Sequence, residues 1–248
     1  MSLLFANGST DRVNHGQSAS IDDLVASGVS ILAWVYRVGS GANQHLFSMD
    51  GPGATNAGIL MLASDALRVL VRRATADADY ISDTGFVPAN AWAFLAATFD
   101  SGASPTVHIY KGSLSALAAE VSYASTADGS GAVVADNAND KWVGNIERAN
   151  TNPFEGRVAR LGYFNAPLSL AAIQRLQFAM AGVWQGAGAR LLAEYHGSGT
   201  QPDYSGNDNA GAVTGATAAD HVPLGPAWGA AFEQHFTGIG FGPMFAGV

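Results

Sequence analysis

Apolar and polar positions in this chain alternate in short bursts rather than in long helical stripes. Residues 29–37, Val-Ser-Ile-Leu-Ala-Trp-Val-Tyr-Arg, form a nearly unbroken apolar run between Gly28 and Gly39. The run is rich in β-branched and aromatic side chains and short for a helix, which predicts a strand buried on both faces. Runs at 44–50, 58–64 and 67–73 follow closely, separated by Gly51-Pro52-Gly53 and by the Ser64-Asp65 turn, as in an antiparallel meander. In the last of them Leu67, Val69 and Val71 share one face while Arg68 and Arg72 take the other, giving a core side and a wet side. Runs at 91–100 and 106–112 repeat the pattern across a Ser-Gly-Ala-Ser-Pro turn. Strands spaced roughly every 8 to 14 residues with turn signals between them predict an all-β sandwich or jelly roll.

One helix stands out. From Ser169, an N-cap residue, Leu170, Ile173, Leu176 and Met180 recur at helical spacing between Pro167 and Gly182, enough to cover one end of a sandwich. Residues 189–199 read as one further strand, and 202–223 are dense in turn residues. The final stretch, 225–248, carries Trp228, Phe232, Phe236, Ile239, Phe241, Met244 and Phe245 with one charged residue, Glu233. So apolar a segment must pack against something. The expected division is a domain over 1–224 and an apolar assembly or anchoring tail over 225–248, with Trp228, Phe232, Phe236, Phe241 and Phe245 as interface residues.

Composition narrows the picture. At 248 residues the chain is long enough for a sizeable core, and it is 48% hydrophobic, 13% charged and carries 30 glycines, which suits short strands joined by many turns. The net charge is −8 and the basic residues are scattered, so the basic stripe of a nucleic-acid surface is missing. Without cysteine, disulfides and thiolate metal sites are excluded. No apolar stretch approaches the roughly 18 residues of a spanning helix. The opening Met-Ser-Leu-Leu-Phe-Ala lacks a basic region and a long apolar core, so a secretory signal is not expected.

Several segments together resemble the laminin-G-like jelly-roll modules of the concanavalin A-like lectin/glucanase superfamily. "LLFANGSTDRV" (3–13) is similar to the opening strand and turn, "SILAWVYR" (30–37) to the strand with a central Trp, and "AWAFLAATFDSGASPTVHIYKGS" (91–113) to the Trp strand, Asp turn and Tyr-x-x-Gly strand. "KWVGNIERANTNPFEGRVARLGYFNAPLSLAAIQRL" (141–176) is similar to the closing hairpin and the small helix behind it. The resemblance covers about residues 3 to 180, and "LLAEYHGSGTQPDYSGNDNAGAVTGA" (191–216) is similar to a segment that precedes the module in many relatives. It implies a concanavalin A-like jelly-roll sandwich with one short helix after the closing strand, and core positions for Trp34 and Trp92.

The chemistry of an enzyme is not carried over. Glucanases of the superfamily place Glu-x-Asp-x-Glu or Glu-x-Asp-x-x-Glu on one strand, because retaining hydrolysis needs two carboxylates about 5 Å apart. The five glutamates here, 120, 147, 155, 194 and 233, are followed two places on by Ser122, Ala149, Arg157, His196 and His235, so the chain is not expected to be an enzyme. Neither Gly-x-Ser-x-Gly nor a phosphate-binding glycine loop occurs. Glu194/His196 and Glu233/His235 could hold zinc in principle, but such pairs are more often a wet strand face. The resemblance implies a calcium-binding Asp after the apolar residue of "FEGRV", where this chain has Ala159 and then Arg160. Neither ligates calcium. Asp11, Asp100, Asp136 and Asp140 remain oxygen donors, while Asp203-x-Ser205-x-Asn207 reads as an Asx-type turn, and no cofactor is expected. Metal-free sugar recognition would use aromatic platforms near polar loops, for which Trp142, Tyr80, Tyr123 and Tyr204 are the candidates.

Stand-alone modules similar to this one occur among bacteriophage virion proteins. The resemblance therefore implies a structural or adhesion protein, a capsid decoration or fibre. Its partners would be other virion subunits such as a major capsid protein, further copies of itself, and surface glycans, with neither nucleic acid nor membrane. The alternative is an extracellular or cell-surface carbohydrate-binding module for glycan attachment.

Overall fold

A computed structural model describes residues 2–6, 10–26, 28–39, 42–50, 55–136, 139–145, 152–195 and 199–224. The strands are β1 (Ser2–Phe5), β2 (Arg12–Asn14), β3 (Val29–Arg37), β4 (Gln44–Asp50), β5 (Thr55–Met61), β6 (Leu67–Val71), β7 (Ala78–Ser82), β8 (Trp92–Phe99) and β9 (Val107–Ser113). They continue with β10 (Ala119–Glu120), β11 (Tyr123–Ala127), β12 (Asp140–Val143) and β13 (Gly156–Phe164). After helices α1 (Leu170–Gln177) and α2 (Ala181–Gly186) come β14 (Ala189–Glu194), β15 (Thr200–Gln201), β16 (Gly211–Thr214) and β17 (Thr217–Ala219).

They form two antiparallel sheets. The first runs β10-β9-β8-β3-β13-β1-β17 and the second β11-β7-β6-β5-β4-β12-β2-β16-β15. Strand β13 centres the first sheet. One edge pairs with β3 along its length, while the other is shared by β1 over Gly156–Val158 and β14 over Arg160–Phe164. The "FEGRVARLGYF" stretch is thus the closing strand that joins β1, near the start of the chain, to β3 and β14.

The main core lies between the sheets and includes Phe5, Val35, Phe47, Ile59, Val69, Leu95, Ile109, Val158 and Tyr163. A second apolar layer sits on the outer face of the first sheet, where Leu32, Trp34, Phe94, Ala159 and Phe164 meet Ile173 and Leu176 of α1, Trp184 of α2, and Val222. This explains why β3 and β8 are apolar on both faces: each strand feeds two cores. Gly162 of β13 makes room for the second layer, because a Cβ there would stand 2.6 Å from the Trp184 ring.

The helix departs from the sequence expectation. Ser169 caps α1, its Oγ accepting the Ala172 N–H at 3.3 Å, but α1 ends at Gln177 and Met180 instead precedes a separate helix, 78% exposed. Side chains take the carbonyls that a longer helix would use. The Trp184 indole N–H donates to Leu176 O at 2.8 Å, and Arg160 Nη1 donates to Ala179 O. Gln177, fully buried, donates to Ser113 O and Ala116 O and accepts from the Ala118 N–H. Those bonds tie the end of α1 to the β9–β10 connection.

Candidate functional site

Among the described residues no helix covers the outer face of the second sheet, and the residues on that face follow from strand alternation. On β5, β6 and β7, residues Ala57, Ile59, Met61, Leu67, Val69, Val71, Ala78 and Tyr80 point into the core. Gly58, Leu60, Arg68, Leu70, Asp79 and Ile81 are left on the other side. Register sets them in two rows across the strands: His45, Leu60, Arg68 and Ile81, then Ser48, Gly58, Leu70 and Asp79. In the second row Gly58 has no side chain, so the surface is low there between Leu60 and Leu70. The result is a cavity of about 310 Å3 lined by Asn43, His45, Gly58, Leu60, Arg68, Leu70 and Asn152. That volume is in the range of small-ligand sites, whereas the two apolar voids inside the sandwich are about 10 Å3 each.

The polar groups around the cavity are positioned by bonds of their own. Arg68 Nε and Nη2 donate to Asp79 Oδ1 and Oδ2 at 2.8 and 2.7 Å. That fork orients the guanidinium and raises its pKa further, and Nη1 takes no part in it. Asn43 Oδ1 accepts the Ala63 N–H at 2.9 Å, which leaves its amide N–H groups for a ligand. Asn152 has a left-handed backbone, φ 59, and its carbonyl accepts the His45 N–H at 2.7 Å. Strand β4 thereby fixes a residue that arrives from more than a hundred positions downstream.

The four aromatic candidates are not brought together: Trp142, Tyr80 and Tyr123 lie in strands, and Tyr204 lies in a turn. Trp142 lies in β12, not on a loop, and is 6% exposed. It shares the outer face with its register partners Ser48 and Asn14, but the Arg12 guanidinium sits 5.1 Å from its ring centroid. Its indole N–H and the neighbouring Ser48 hydroxyl are both buried without a partner. Tyr80 is a core residue, 1% exposed, whose hydroxyl donates to Asp128. Tyr123 packs edge-on against Tyr80, donates to Glu120 Oε1 and accepts the Ile109 N–H, each at 2.9 Å. Burial raises both phenol pKa values, so these two tyrosines pin the β7–β11 edge. Tyr204 alone is exposed, and its N–H donates to Leu192 O in the first sheet.

The candidate cation ligands are likewise dispersed. Asp11 accepts the Ala6 N–H, Asp100 the Gly102 N–H, and Asp140 the Asn14 side-chain amide. Asp136 is fully buried 3.1 Å from the Lys141 ammonium; burial raises its carboxyl, with Lys141 opposing. Among the described residues no three His, Cys, Asp or Glu gather as a metal site. Asp203 forms the expected Asx turn, its Oδ1 accepting the Ser205 N–H at 2.8 Å while its Oδ2 accepts from Ser205 Oγ and the Asn209 N–H. Ala159 is buried beneath the second apolar layer, and Arg160 pairs with Glu194. Glu120 pairs with His108 on a different sheet edge. His196, Glu233, His235 and the tail residues Trp228, Phe232, Phe236, Phe241 and Phe245 lie outside the described residues.

The family model described as "Concanavalin A-like lectin/glucanases superfamily" matches residues 7–174. No curated protein sequence matches the chain. Among solved structures, a candidate carbohydrate binding protein from Bacteroides ovatus superposes with a TM-score of 0.61 at 15% identity, over 89% of this chain and 59% of that one. A heptameric, SAP-like pentraxin from Limulus polyphemus superposes with a TM-score of 0.50 at 8% identity, over 70% of this chain and 79% of that one. At these identities the likeness is one of fold. The chain spans about three fifths of the length of the Bacteroides protein.

Proposed function

Because this chain belongs to the concanavalin A-like lectin/glucanase superfamily, we propose that it is a non-enzymatic carbohydrate-binding module that takes its ligand in the cavity of the second sheet. The observation that carries this reading is the lining itself. Leu60 and Leu70 offer an apolar floor for the C–H face of a sugar ring, and Asn43, Asn152, His45 and Arg68 surround it with polar groups. The name of the Bacteroides ovatus structure points the same way. Nothing in the comparisons supports the virion placement expected from the sequence, and an extracellular or cell-surface site of action suits glycan attachment.

The test is a glycan array with the purified chain, repeated with Gly58→Met, which fills the cavity floor. Binding by the parent that disappears in a variant of unchanged melting temperature supports the site. Binding that survives the filling moves the sugar elsewhere, and an array without binders removes the carbohydrate reading.

The apolar 225–248 segment is proposed, on its composition, as a self-association contact. Light scattering on the full chain and on a form ending at residue 224 decides this. An oligomer that becomes monomeric on truncation supports the contact, and an unchanged mass refutes it.

A further inference from the structure

We infer that the cavity selects sugars that carry a carboxylate, an inference that rests on the carbohydrate-binding reading and narrows it to a ligand class. Among the described residues the lining contains one fixed cation, Arg68, and no carboxylate. Hydroxyl-rich neutral sugars are donors as much as acceptors, and a site built for them benefits from an ionised acceptor at its wall. Asp79, the acid beside Arg68, is already engaged by the guanidinium through both oxygens. The remaining supply is weighted toward donors: Arg68 Nη1, the second hydrogen of Nη2 and the Asn43 amide N–H groups lie outside the bonds that position these side chains.

The geometry favours a planar anion. Asp79 occupies the Nε/Nη2 side of the guanidinium and fixes its orientation. The Nη1/Nη2 end is a second fork that matches the two oxygens of a carboxylate. An arginine so clamped loses little side-chain freedom when a ligand arrives. Leu60 and Leu70 flank Arg68 by register and along its own strand, so a carboxylate held at the fork lays its ring against them. Asn152, fixed by the His45 backbone bond, supplies both donor and acceptor for ring hydroxyls. The chain as a whole, at −8, does not attract anions over distance, so selection must be local and short-range.

The experiment titrates the full chain with two matched pairs: trigalacturonate against its carboxyl-reduced counterpart, and 3′-sialyllactose against lactose. The expected result is a preference of at least about tenfold for the carboxylated member of one pair, equivalent to about 1.4 kcal/mol. That preference should be lost in Arg68→Gln/Asp79→Asn, a double substitution that leaves no unpaired acid behind. The ligand pairs themselves need no variant, so the test survives a variant that folds poorly. Equal binding within both pairs, or a broad array that returns only neutral glycans, overturns the carboxylate preference and leaves the carbohydrate reading standing. An array with no binder of any kind overturns the carbohydrate reading and the preference with it.

Discussion

Each sheet of this sandwich turns one face to a shared core, and the two differ in what happens behind them. Behind the first sheet, under two helices, Phe94 packs tilted against Trp34 and edge-on against Trp184, at ring separations of 5.4 and 6.4 Å. Both indoles buried in that layer have acceptors: Trp34 Nε1 donates to Gln177 O at 2.7 Å and Trp184 Nε1 to Leu176 O at 2.8 Å. Behind the second sheet, Gly58 lines a cavity, Leu60 and Leu70 stay half-buried, and Arg68 and Asp79 pair at the surface. Beyond the shared core, apolar packing is concentrated behind one sheet, and the cavity proposed as the binding site lies behind the other. A site can be shaped on the open face because little of the fold depends on it.

Truncating the sealed face should have the largest effect. Trp184 is fully buried, and its ring fills the space that Gly162 leaves, so Trp184→Ala should cost about 3–5 kcal/mol. Leu70→Ala, on the open face, should cost less than about 1 kcal/mol, because a half-exposed side chain recovers little area on folding. Denaturant titration of the two variants measures the contrast, and equal losses would abolish the distinction between the faces.

Acid should act next, at the seam where β15 and β16 join the second sheet beside β2. His15 follows β2, fully enclosed, with Nδ1 3.0 Å from Asn209 O and Nε2 2.9 Å from the Tyr195 hydroxyl. Desolvation lowers its pKa from 6.5 to about 4, against the backbone bond from Asn209 and the charge of Asp203. Between these values the unfolded chain binds the proton and the folded chain does not, so stability is full above pH 6.5 and falls as the pH drops toward 4. The shift amounts to roughly 3 kcal/mol. His221 is also lowered by burial and works in the same direction, while Asp136, raised by burial, opposes it in the acid limb. Melting temperatures from about pH 7.5 to about pH 4.5, a window that spans the His15 shift, check this, and His15→Gln should flatten the profile. A flat parent profile would show that the imidazole does not titrate as its burial requires.

The sealed face was legible in the sequence and the open site was not. The unbroken run 29–37 requires a cover on both sides, and the alternation in 67–71 announces one wet face; both are local patterns. Ser169 marks the helix start. Its end is hidden, because what stops α1 is a carbonyl taken by Trp184 and another by Arg160, contacts made across the fold. Trp142 reads as a loop aromatic because residues 140–143 form too short a strand to show a period. The cavity depends on register: Gly58 faces Ser48 and Leu70 only once β4, β5 and β6 are aligned, and Asn152 reaches the rim from a distant segment. Arg68, seen along the chain alone, is simply the wet side of its strand.

The smallest expected change in stability is also the sharpest test of the division of labour. Arg68 and Asp79 are 35% and 29% exposed in their side chains, and ion pairs of that kind contribute about 0.2–1 kcal/mol. Asp79→Asn should therefore leave the melting temperature nearly unchanged. It removes a negative charge that would stand near the bound carboxylate, while the carbonyl oxygen of the new side-chain amide can still accept one of the guanidinium N–H groups and keep it oriented. A carboxylated sugar should then bind a few-fold more tightly at low salt, the gain shrinking as salt screens the charge, and a neutral sugar should bind as before. A loss of stability near that of Trp184→Ala would mean that the open face holds the fold together after all, whereas a gain in affinity without a change in melting would separate recognition from stability on this one sheet.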